Sequence, residues 1–77
     1  MTITLRYFAS LRETLGHSIK KMEIFEPQTV LSLWKLANPT IPLPENTLTA
    51  VNMDYVPLTH AIKDGDEIAF FPPVTGG

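Results

Sequence analysis

Only one segment of this chain reads as a helix able to carry a core, and that limits the fold more than any other feature. Thr29 can cap it, and Val30, Leu33, Trp34 and Ala37 then recur at i, i+3, i+4 and i+7. That spacing lays a single apolar stripe along one face. One stripe needs one partner layer. The other apolar residues fall in short runs, several of them alternating, so the expected partner is a sheet. With 77 residues and no cysteine, a single domain is expected, and its core must form without a disulfide or a thiolate metal site. A hydrophobic content of 44% against 18% charged residues describes a folded domain, not a disordered one.

The strands follow from alternation and breakers. Residues 2–8 put Ile3, Leu5 and Tyr7 on one side and Thr4 and Arg6 on the other, with Phe8 out of phase on the polar side. Ser10 and Glu13 fit a capping box and Gly16 a stop, which predicts one short helical turn. Residues 18–25 read as a second strand with Met22 and Ile24 inward, ended by Glu26-Pro27. Residues 38–46 hold three prolines and can extend neither helix nor central strand. A third strand is expected over 47–52 and a brief edge strand over 55–58, interrupted by Pro57. Lys63-Asp64-Gly65-Asp66 then signals a turn before a last strand over 67–71. This order is that of an α+β, ubiquitin-like β-grasp fold: a mixed sheet of four to five strands wrapped on one main helix. Its first and last strands lie side by side at the centre. Ile68 and Phe70 would then face the helix with Ile3, Leu5 and Tyr7. Phe8 and Phe71 would meet on the open face, as an exposed aromatic pair that marks a docking surface.

The domain is expected to span residues 1–71, with residues 72–77 as an extended arm. Pro72 and Pro73 fix φ and remove two donors, so the ladder cannot continue past Phe71. At polyproline II spacing the arm would reach roughly 15 to 19 Å, enough to enter a partner's pocket. It would end on Gly76-Gly77, which lack a Cβ and can thread a tunnel that excludes side chains. An unhindered carboxylate there can be activated by adenylyl transfer from ATP and then attacked by sulfur or an amine. Residues 68–77 carry no charged side chain, so an accepting partner could be apolar apart from whatever meets the carboxylate.

Other chemistries find little support. A formal net charge of −2, with Lys20-Lys21 the only basic pair, argues against a nucleic-acid partner. The first residues lack the features of a signal peptide and no run approaches about 18 apolar residues, so no membrane contact and a cytoplasmic location are expected. His17 and His60 are isolated, without the neighbours a zinc site needs. Asp64, Asp66 and Glu67 lack calcium-loop spacing and fit turn chemistry. No catalytic triad or phosphate-binding loop is visible.

Ala50-Val51-Asn52, and then Asp64 through Phe70-Phe71-Pro72-Pro73-Val74-Thr75-Gly76-Gly77, closely resemble the molybdopterin synthase small-subunit (MoaD) family of ubiquitin-like sulfur carriers. Phe8-Ala9, Leu11-Arg12-Glu13 and Gly16 extend the likeness over most of the chain, and residues 38–45 are its least familiar part. The resemblance implies a protein that is not catalytic alone and binds no cofactor. An E1-like activating enzyme, consuming ATP, would adenylate Gly77, and sulfur would convert it to a thiocarboxylate. The arm from Pro72 through Val74 and Thr75 to Gly76 would then insert into the large subunit of molybdopterin synthase, within a heterotetramer. There two sulfurs convert a pyranopterin precursor to the dithiolene of molybdopterin. Phe8, Tyr55 and Phe71 match the family's hydrophobic partner surface, Tyr55 standing where a smaller aliphatic residue is more familiar. Arg12 matches a residue that meets the activating enzyme. Three other readings remain open. They are a carrier for the thiazole of thiamin or another acceptor, a ubiquitin-like modifier joined to lysines, and a passive domain whose glycines are accidental.

Overall fold

The strands nearest the two ends of the chain lie side by side. In the computed structural model, which describes residues 1–73, the order is β1 (Thr2–Tyr7), α1 (Ala9–Leu15), β2 (Ile19–Glu23), α2 (Val30–Ala37), β3 (Leu48–Val51), β4 (Asp54–Tyr55) and β5 (Glu67–Phe71). The sheet order is β2-β1-β5-β3-β4. β1 and β5 are parallel and the other pairs antiparallel. This is the β-grasp sheet expected from the sequence, with α2 packed across one face.

That face is the core. Ile3, Leu5 and Tyr7 of β1, Ile68 and Phe70 of β5, and Val30, Leu33 and Trp34 of α2 are all at most 1% exposed. Three rings fill its centre. Tyr7 stacks on Phe70 at 5.9 Å, and Trp34 meets Tyr7 edge-on at 5.9 Å and Phe70 at 5.1 Å. Buried Trp and Tyr need partners for their polar ends, and the proline-rich segment provides them. Trp34 Nε1 donates to the Ile41 carbonyl at 2.8 Å, and Asn38 Nδ2 donates to the Tyr7 hydroxyl at 3.3 Å. Burial pushes the Tyr7 phenol above its ordinary pKa, and the Asn38 bond opposes that by less. Residues 38–46 form no helix or strand, as their prolines require, yet they are fastened to the core.

Thr29 caps α2 as expected, its Oγ1 accepting from Ser32 N at 3.2 Å while Thr29 N donates to Ser32 Oγ at 2.8 Å. Two local expectations are corrected. Ser10 is not an N-cap. α1 starts two residues earlier than a Ser10 cap would place it and runs seven residues, longer than one turn, with Phe8 at the cap position making no side-chain bond. The chain enters α1 through Ala9 in the left-handed region at φ 51, a backbone choice that propensity does not register. Gly16 does end the helix, at φ 81, its N–H donating to the Arg12 carbonyl at 2.9 Å. The edge strand is Asp54–Tyr55, not 55–58. Asn52 and Met53 both take positive φ, the conformation a tight two-residue hairpin needs, and so the return strand begins sooner. Val56 still donates to the Thr49 carbonyl at 3.1 Å, but the ladder stops before Pro57.

Leu33→Ala should cost about 2 to 5 kcal/mol, as for other large core side chains. Urea unfolding of the variant measures this. A midpoint equal to the parent's would mean that the stripe on α2 does not hold the sheet.

Candidate docking face

Alternation sends Arg6 and Phe8, Glu67, Ala69 and Phe71, Ala50, and Tyr55 to the sheet face away from α2. The register lines four of them up across the strands: Arg6 opposite Ala69, Ala69 opposite Ala50, and Ala50 opposite Tyr55. Two alanines in the middle of that row leave a floor with no side-chain bulk. The result is a shallow open depression of about 340 Å³, walled by Phe8, Phe71, Tyr55, Met53 and the Arg6–Glu67 pair.

The walls are aromatic and mutually braced. Phe8 and Phe71 meet edge-on at 6.2 Å, and Tyr55 meets Phe71 at 5.7 Å. The Arg6 guanidinium lies 5.9 Å from the Phe8 ring centre and its NH1 sits 3.7 Å from Glu67 Oε2. That exposed ion pair orients the floor's edge more than it stabilises the fold. Phe8 is 43% and Tyr55 73% exposed, as a docking surface requires. Phe71, expected to be exposed, is half-buried between the other two rings.

Phe8, Tyr55 and Phe71, picked from the sequence, therefore share one site. Arg12 does not line it; it is exposed on α1. Pro72 is half-buried and Pro73 exposed just beyond β5. The expected arm residues Val74, Thr75, Gly76 and Gly77 lie outside the described residues. Sequence reading missed Met53, which is 92% exposed on the rim. It also missed the paired alanines, whose signal is a small residue on the polar side of two neighbouring strands.

Most of the remaining polar candidates have side-chain partners. His17 sits edge-on to Tyr7 at 5.3 Å, and the His60 carbonyl accepts from Val30 N at 3.1 Å at the entry to α2. Asp64 Oδ1 accepts from Thr2 N at 2.9 Å. Asp66 accepts from Lys63 N at 2.8 Å and from Asn52 Nδ2 at 2.9 Å. Turn chemistry accounts for both acids. Among the described residues no group of three or more His, Cys, Asp or Glu side chains is placed to hold a metal ion, and no helix is long and apolar enough to cross a membrane.

A mixed sheet closed over one helix, with an aromatic row on its other face, defines a ubiquitin-like β-grasp protein. Its family follows from sequence: the chain belongs to the ThiS family, which matches residues 5–77. It is 39% identical to the molybdopterin synthase sulfur carrier subunit of Escherichia coli, across 97% of this chain and 99% of that protein. Among solved structures it resembles small archaeal modifier protein 1 of Haloferax volcanii (TM-score 0.77, 26% identity, 95% of this chain and 98% of that one). It shares its fold with a chain in the complex of subunits 1 and 2 of the molybdopterin-converting factor of Helicobacter pylori (TM-score 0.67, 23% identity, 100% of both chains).

The division of faces predicts graded stability losses for three phenylalanines. Phe8→Ala should cost less than about 1 kcal/mol, since an exposed ring leaves no cavity. Phe71→Ala should cost about 1 to 2 kcal/mol through its two lost ring contacts, and Phe70→Ala about 3 to 5 kcal/mol. Denaturant midpoints measured side by side test the ranking, and a loss at Phe71 as large as at Phe70 would contradict it.

Proposed function

We propose that this chain is the sulfur-carrying small subunit of molybdopterin synthase. Residues 1–71 form its body and residues 72–77 the arm. An E1-like activating enzyme transfers the adenylyl group of ATP to the Gly77 carboxylate and releases pyrophosphate. Sulfur at the sulfide level then attacks the acyl carbon, the bond to AMP breaks, and a thiocarboxylate is left. The body docks on the large subunit through Phe8, Tyr55 and Phe71, and the arm from Pro72 carries the thiocarboxylate to a pterin precursor, whose dithiolene takes two such sulfurs. Arg12, on the separate surface of α1, serves the activating enzyme. In this reading the chain contributes the reactive terminus and the docking face, and the other catalytic groups lie on its partners.

The observation that carries the proposal is the double position of Phe71. It is the last residue of β5, from which the arm departs, and also the central ring of the docking row. A partner gripping that row would hold the arm's origin at a fixed place, which favours a defined insertion over a free search. The relation to a sulfur carrier subunit along nearly the whole chain supports the same reading. The likeness to a small archaeal modifier protein favours a second one, in which the activated Gly77 is joined to lysines. Conjugates resolved on a denaturing gel would reveal that activity.

The test is intact-mass measurement of the chain produced with its activating enzyme and a sulfur source. The parent should gain the mass difference of one oxygen exchanged for sulfur. Deleting Gly77, or adding one residue after it, should abolish that gain and leave thermal unfolding nearly unchanged, since chain ends contribute little stability. Full sulfur loading of the extended chain would overturn the proposal.

A further inference from the structure

The rim of the aromatic depression includes one residue to which the carrier role assigns nothing. Met53 is 92% exposed and sits at φ 73 in the turn between β3 and β4, beside Asn52 at φ 50. Asn tolerates the left-handed region well. Met does not, because its Cβ crowds the backbone there, and glycine is the residue such turns favour. The turn is nevertheless held firmly. Asn52 Nδ2 donates to Asp66 Oδ1 at 2.9 Å, Asn52 Oδ1 accepts from Glu67 N at 3.0 Å, and Asn52 N donates to the Glu67 carbonyl at 2.9 Å. A long apolar side chain is thus presented to solvent on a strained, clamped backbone.

Core packing does not account for Met53, which buries almost nothing. Its position does. It lines the same depression as Phe8, Tyr55 and Phe71. The other end of that row borders a second strained residue, Ala9 at φ 51 next to Phe8. Left-handed non-glycine backbone persists where surrounding structure enforces it, and it concentrates at sites of function. The occupant this favours is the protein that takes the aromatic row, because the surface is continuous.

We propose that Met53 is an anchor for the large subunit of molybdopterin synthase, its flexible thioether filling an apolar hollow of that partner, and that the strained turn exists to present it. The inference rests on the docking role proposed above. It predicts that folding and binding respond in opposite directions to one substitution.

Met53→Gly, Met53→Ala, Met53→Leu and Phe71→Ala should be compared with the parent by thermal unfolding and by calorimetric titration with the large subunit. Met53→Gly should melt about 4 °C or more above the parent, the shift of a relieved backbone in a domain of this size, and bind about tenfold or more weaker. Met53→Ala should bind as weakly without the gain in melting temperature, because alanine keeps the Cβ. Met53→Leu should stay within about threefold of the parent. If the glycine and alanine variants bind within about twofold of the parent while Phe71→Ala is impaired, the anchor is wrong and the docking face stands. If Phe71→Ala also binds normally, the face is not the interface and both readings fall.

Discussion

Hydrogen bonds between β1 and β5 join strands drawn from opposite ends of the chain, Thr4 opposite Glu67 through Tyr7 opposite Phe70, and the other elements are arranged around them. Because the pair is parallel, the intervening chain must cross one face of the sheet to return. α2 lies on that path, and its stripe closes the core over the two central strands. Phe8 N continues the ladder by donating to the Phe70 carbonyl at 3.2 Å. A single register thereby sets two aromatic pairs on opposite faces: Tyr7 stacked on Phe70 inside, Phe8 against Phe71 outside.

The two faces consequently differ in character. A slip of one residue would exchange them, burying the open aromatic row and exposing the core rings. The core beneath α2 is closely packed, and no buried side-chain nitrogen or oxygen lacks a partner among the described residues. The open side is under-filled at Ala50 and Ala69, ringed by aromatic groups, and bordered by backbone strain at Ala9 and Met53. Those features add little to the core. They suit the docking role proposed above, next to the strand from which the C-terminal segment leaves.

Much of this was legible in the sequence, for identifiable physical reasons. The Val30, Leu33, Trp34, Ala37 stripe and the alternation through Ile3, Leu5 and Tyr7 report burial directly, because periodicity follows from geometry. Phe8 marked the open aromatic face by standing out of phase. Boundaries set by backbone conformation were less visible. Ala9 and Met53 take left-handed φ values that neither residue type advertises, so the start of α1 and the β3–β4 turn were misplaced. The depression needs residues from β1, β3, β4 and β5 side by side. Its alanine floor therefore emerges only once the strands are paired.

Nuclear magnetic resonance titration of the nitrogen-labelled chain with unlabelled large subunit tests most directly whether one register separates a folding face from a docking face. The account predicts that amide signals of Arg6, Phe8, Ala50, Tyr55, Ala69 and Phe71 shift or broaden, while those of α2 and residues 38–46 stay in place. Perturbation concentrated on α2 and the proline-rich segment, with the open sheet face unchanged, would contradict it.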